Sequence, residues 1–217
     1  MARQNRVTPA GKIVADPARG LFMGNRGILH DDARRLGRVR WRHKSWITCL
    51  LDFKGRRRTI MSPRRYTELF FLDEAVALAA GHRPCAECRR CRFNAFLDAW
   101  VAGTGHDGPP PKAPALDAAL HAARLDPGTR RQGTYQAELA ALPDGVFIWL
   151  EDALLLVHGD RMHPWTPGGY GPAVTRPSGG SVRVLTPRPV VAVISAGYRP
   201  ELHPSAFGER RAAAHPI

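Results

Sequence analysis

Three of the chain's four cysteines, Cys85, Cys88 and Cys91, fall within seven residues of the stretch AGHRPCAECRRC. The fourth, Cys49, lies 36 residues before Cys85 in WITCLL. Two thiolates spaced C-x2-C can close on one tetrahedral ion, and Zn²⁺ is the commonest occupant of such a knuckle. Flanking Arg83, Arg89 and Arg90, together with free N–H groups at a helix start, favour the thiolate form. Two ligands leave such a site half built. Cys49, His30, His43, His82 and Cys91 are the candidates for the remainder. Taken with Cys91, the run C-x2-C-x2-C also suits an iron–sulfur cluster, although Cys91 falls inside an expected helix, where a small buried residue is the plainer reading.

A second group of reactive types lies in VHGDRMHPWTPGGY and GYRPELHPSA. His158, His163 and His203, with Asp160, Tyr170 and Ser205 nearby, hold the residue types needed for acid–base or phosphodiester chemistry. No spacing here matches a metalloprotease helix, a nucleophile elbow, a P-loop or a dinucleotide fingerprint.

Charge points to a partner. The chain of 217 residues carries a net charge of +13. Residues 1–100 hold 21 Lys+Arg against 9 Asp+Glu, whereas residues 101–217 hold 11 against 10. Only Lys12, Lys44, Lys54 and Lys112 are lysines, and the arginine fork suits bidentate phosphate contact. Arg34, Arg35, Arg38, Arg40, Arg42, Arg56, Arg57, Arg58, Arg64 and Arg65 lie between the candidate ligands, interleaved with Trp41, Trp46 and Tyr66. Such a mixture neutralises phosphates and stacks on unpaired bases, so nucleic acid is the expected partner.

These residues need elements to position them. ELFFLDEAVALAAGHRP reads as a strand, an N-cap at Asp73, a short helix and a stop at Gly81. A second helix is expected from Pro84 to about Trp100, its Phe93, Phe96, Leu97 and Trp100 forming one buried stripe. GILH, SWITCLLDF and RRRTIM read as strands. VAGTGHDGPPPKAPA reads as a linker, and beyond it LDAALHAARL and YQAELAAL read as helices. GVFIWL, ALLLVHG, SVRVLTP and VVAVISAG read as strands. The expected class is α+β. A flexible arm (1–19) precedes a small zinc-stapled domain (20–100), a linker (101–114), a mixed, mostly β domain (115–206) and a tail (207–217). No apolar run reaches the ~20 residues of a membrane span, and the first residues lack the apolar segment of a secretory signal. A cytoplasmic protein without membrane partners is expected.

The stretch TELFFLDEAVALAAGHRPCAECRR resembles the metal-binding domain of the bacterial Ada DNA-repair proteins, closely from Phe70 to Arg90 through its AAG-x-RPC-x-x-C core. That family binds Zn²⁺ with four cysteines and contacts DNA, one cysteine accepting methyl groups from the phosphate backbone. NRGILH is similar to the start of the family's upstream ligand pattern and sets His30 where a cysteine would fall. The resemblance thus implies Zn²⁺ held by His30, Cys49, Cys85 and Cys88, and a role in DNA repair or the damage response. With histidine in the first upstream position it also implies loss of methyl transfer and a structural zinc; with Cys49 there, transfer would survive. Two other readings stand beside it: a nucleic-acid-processing enzyme using His158, His163 or His203, and a zinc-stapled module for an acidic protein.

Overall fold

The computed structural model describes residues 2–56 and 59–208. The class is α+β, with two sheets and four α-helices among the described residues. The first sheet holds β1 (Gln4–Val7), β2 (Ile13–Ala15), β3 (Phe22–Asn25), β4 (Ile47–Leu50), β5 (Leu69–Phe71) and β6 (Arg83–Pro84), in the order β2-β1-β5-β3-β4-β6. The second holds β7 (Tyr135–Glu138), β8 (Phe147–Leu150), β9 (Ala153–His158), β10 (Arg161–Thr166), β11 (Gly169–Tyr170), β12 (Val174–Thr175) and β13 (Ser181–Val184), in the order β11-β10-β9-β8-β13-β7 with β12 paired to β10. The helices are α1 (Glu74–Ala79), α2 (Arg90–Thr104), α3 (Ala113–Arg124) and α4 (Arg188–Ser195).

Strand pleating explains how these pieces layer. Side chains alternate faces along a strand, so β8 sends Phe147 one way and Ile148 the other. Phe147 and Leu156 pack with Phe22, Leu69 and Phe71 of the first sheet and with Ala75 and Val76 of α1. Ile148, Leu155 and Val157 pack with Phe93, Phe96 and Trp100 of α2, Leu116 and Leu120 of α3, and Val190, Val193 and Ile194 of α4. The second sheet is therefore covered on both faces, by helices on one side and by the first sheet with α1 on the other. Helices α2 and α4 meet closely: a Cβ at Gly103 would lie 2.4 Å from the Ala192 carbonyl oxygen.

Several local expectations differ from what forms. Residues 4–15, expected as a flexible arm, make the β1–β2 hairpin, which buries Val7 and Ile13. GILH is not a strand; pairing starts earlier, at Phe22, and His30 makes a single bridge to Leu36. YQAELAAL, expected as a helix, gives β7 and one 3-10 turn, because all four β7 residues pair with β13. VVAVISAG, expected as a strand, is α4. Pro187 and the i, i+3, i+4 spacing of Val190, Val193 and Ile194 outweigh the β-branched run. Helix α1 forms as read: Asp73 accepts from the Val76 N–H at 2.9 Å, and Gly81 ends the segment at φ 82°. No helix among the described residues is long and apolar enough to cross a membrane.

Glu74 opens α1 with a fully buried carboxylate. It pairs with Arg89 at 2.9 Å and Arg92 at 2.6 Å and accepts from the Tyr198 hydroxyl at 2.6 Å and the Glu201 N–H at 2.9 Å. Removing one member of a buried, paired set leaves uncompensated charge and costs about 3–5 kcal/mol. Glu74→Ala should lower the unfolding free energy in urea by about that amount, whereas Tyr198→Phe, which deletes one donor to a charged group, should cost about 1.5–3 kcal/mol.

Candidate metal centre

Cys49 lies on β4 between paired neighbours. β6 runs parallel to β4, with Ile47 opposite Arg83 and Thr48 opposite Pro84, and the Cys85 N–H donates to the Thr48 carbonyl at 2.9 Å. This register sets Cys85 beside Cys49 although 36 residues separate them in sequence. Prolines at helix starts are common, but here the chain turns through Cys85–Arg89 before α2 begins at Arg90. The turn aims N–H groups at sulfur: Glu87 donates to Cys85 Sγ at 3.4 Å. It also returns Cys88 to the same spot.

The sulfurs of Cys49, Cys85 and Cys88 all lie within 4.8 Å of one another, close enough to hold a metal ion. They share negative charge unevenly. The Cys85 thiol is pushed down to about 5, first because Cys49 donates to it and also because backbone N–H groups of Cys88 and Glu87 do. Cys49 is pushed far up, by its role as donor to Cys85 and by burial. Burial also raises Cys88. The metal-free site thus keeps one thiolate near neutral pH, and two thiols must lose protons when a cation arrives. Three soft, partly buried thiolate donors on rigid backbone are the donor set of a thiophilic metal such as zinc.

Among the described residues no fourth His, Cys, Asp or Glu atom joins this set. His30 is elsewhere, its Nδ1 hydrogen-bonded to Thr67 Oγ1 at 2.6 Å and its Nε2 to the Ser62 carbonyl at 3.2 Å. His43 bonds Asn25, and His82 is buried edge-on against Phe71. Cys91 is exposed on α2 and stands outside the cluster, so the C-x2-C-x2-C run does not converge. In place of a fourth residue, the sulfurs border a cleft of about 610 Å³ whose other walls include Arg56, Tyr66, Glu68 and Phe70.

The basic residues divide into two kinds. Arg35 pairs with Asp31 at 3.0 Å and Arg56 with Glu87 at 2.7 Å. Arg34, Arg38, Arg40, Arg42, Arg64 and Arg65 are exposed and pair with no carboxylate among the described residues. Five of this set of arginines (34, 35, 38, 40 and 42) sit on the long excursion between β3 and β4, which delivers the chain straight to Cys49. Arg57 and Arg58 lie outside the described residues. Trp46, expected as a surface stacking platform, is only 3% exposed, because the Arg26 and Arg124 guanidiniums lie against its ring at 4.1 and 3.8 Å.

The three histidines of the second half hold separate positions. His158 ends β9 and faces Asp144 at 3.6 Å. His163 is buried on β10, its ring 6.1 Å from that of His158. His203 is buried before a 3-10 turn, its Nδ1 hydrogen-bonded to Ser205 Oγ at 2.8 Å and its backbone N–H to Asp73. Asp73 is pushed up to about 6 by burial, and it serves as a helix cap. The bracing of the cysteine turn by Glu74, Arg89 and Arg92 was missed in the sequence; adjacent Asp73 and Glu74 at an apolar helix start were its one visible sign.

No protein-family model, curated protein or solved structure matches this chain.

Co²⁺ provides a direct check through its thiolate charge-transfer absorption. Wild type, Cys91→Ser and His30→Ala should each show the band with one ion bound, and Cys49→Ser and Cys88→Ser should lose it or weaken binding at least tenfold. Calorimetry in buffers of different ionisation enthalpy should find about two protons released per ion at pH 7, since Cys85 is already a thiolate there and the other two are not.

Proposed function

We propose that the protein is a zinc-containing DNA-binding protein that contacts phosphates through its arginine-rich excursion. The observation that carries this reading is the set of exposed arginines without carboxylate partners on the segment leading into Cys49. Solvated cations paired with acids gain little from a polyanion, whereas unpaired ones release counterions when they meet it. Zn²⁺ is the ion the three thiols suit best, with Cys49, Cys85 and Cys88 as its protein ligands. It ties β4 to the start of α2, and such a staple can contribute on the order of 10 kcal/mol to folding. The Ada-like stretch from Phe70 to Arg90 supports a place in DNA repair or the damage response.

Fluorescence anisotropy with a labelled duplex tests the reading. Log affinity should fall linearly with log salt, with a slope of about −0.9 per phosphate neutralised. Arg38→Ala and Arg42→Ala should each make that slope shallower by about one and weaken all sequences alike. An affinity that ignores salt, or no binding at low salt, would sink the proposal.

A further inference from the structure

A second cavity of about 610 Å³ shares no lining residue with the cysteine cleft. Its lining runs from exposed cations at the mouth to buried ones within. Among the described residues six cations line it, Lys12, Arg26, Arg40, Arg124, Arg130 and Arg131, together with three tryptophans and no carboxylate. Guanidiniums are rarely buried without an acid, because lost hydration must be replaced.

Two of the six are almost completely buried. Arg26 is 2% exposed and Arg124 1%. Neither pairs with a carboxylate among the described residues. Arg26 donates to the carbonyls of Gly11 and Ala80, and Arg124 to those of Gly81 and Lys44 and to His121 Nδ1. Asp117, whose charge reaches Arg124, is held by Arg83 through two bonds of 2.8 and 2.9 Å. Burial pulls both guanidiniums down to about 9, so each holds its proton at a cost that an arriving anion would offset. Arg124 Nε and Gln132 Oε1 are buried with no partner among the described residues, although Gln132 Nε2 is held by the carbonyls of Pro9, Ala79 and Leu185. Neutral backbone and ring acceptors therefore fix these side chains in place and leave their charge unbalanced.

The aromatic walls narrow the ligand class. Arg130 lies 4.9 Å from the Trp41 ring centre, and Lys12 lies 6.0 Å from that of Trp149. Both tryptophans are half-buried and line the cavity beside a cation. A small inorganic anion would use the cations and leave the indoles idle. A neutral aromatic molecule would do the reverse. A planar aromatic group bearing a negative charge uses both. The volume is that of an ordinary small-ligand site.

We propose that this cavity is a ligand site for one nucleotide unit, an aromatic base carrying its phosphate, taken either free or as an unpaired residue of a single strand. The assignment goes beyond the duplex contact proposed above and does not need it, since the exposed excursion neutralises phosphates without a base entering a cavity.

Tryptophan fluorescence and calorimetry on the full, metal-loaded chain separate the outcomes. The probes are the four common nucleoside 5′-monophosphates, the matching nucleosides, inorganic phosphate and a short oligothymidylate. Saturable quenching by a monophosphate, with nucleosides and phosphate each at least tenfold weaker, is the expected result for a free nucleotide. Quenching by the oligonucleotide alone would place the unit in a single strand. Arg131→Ala should weaken that binding roughly 10-fold, with metal content, melting temperature and the salt slope on duplex DNA unchanged, and Trp41→Ala should weaken it as much with metal content and melting temperature unchanged. Phosphate binding as tightly as every monophosphate, no binding of any probe, or variants that bind as wild type does would overturn the assignment. A lost duplex slope with nucleotide binding retained would fault only the earlier proposal.

Discussion

The buried carboxylate of Glu74 is the constraint on which the arrangement turns. A charge with no exposure must find partners, and the partners it finds come from three parts of the chain: Arg89 and Arg92 at the start of α2, Tyr198 after α4, and the backbone at Glu201. Arg89 is buried too, with its guanidinium 4.2 Å from the Phe22 ring. The cysteine turn ends on that residue. What fixes Cys88 against β4 is thus not the turn alone but a carboxylate on a neighbouring helix, and the three thiols inherit their geometry from an ion cluster that none of them touches.

The same economy appears twice in this protein, with opposite outcomes. At Glu74 the charges cancel inside. At Arg26 and Arg124 they do not, and backbone carbonyls stand in for acids. The contrast separates a cluster whose charges are balanced by acids from one whose charges are met by neutral acceptors alone. Both flank α1 and its Gly81 stop: Glu74 opens the helix, and the Gly81 carbonyl accepts from Arg124.

Much of this was legible in the residues. Asp73 followed by an apolar run named a capped helix, and the C-x2-C knuckle named two ligands, because both signals are local. Cys49 was within reach as a strand cysteine, although only the parallel β4–β6 register brings it to the knuckle. His30 was not separable from a ligand by sequence, since its Thr67 partner lies 37 residues away. YQAELAAL and VVAVISAG misled in opposite directions: short runs take the structure that their neighbours can pair or pack with, and propensity yields to that. The cation-lined cavity left one trace. Arg124 continues the helical stripe of Leu116 and Leu120, a charged residue where an apolar one belongs.

The double-sided burial of the second sheet has a consequence for how the chain is made. The first hundred residues leave the ribosome before β8 and β9 exist, so Phe22, Leu69 and Phe71 wait without Phe147 and Leu156, which later pack on them. The Phe93–Trp100 side of α2 waits in the same way for the sheet beneath it. During that interval Cys49, Cys85 and Cys88 are all synthesised, and the helix that follows them has not yet packed on the second sheet. An ion captured by the three thiols then would join β4 to the turn before α2 while the rest of the core is still to be made, a placeholder in time.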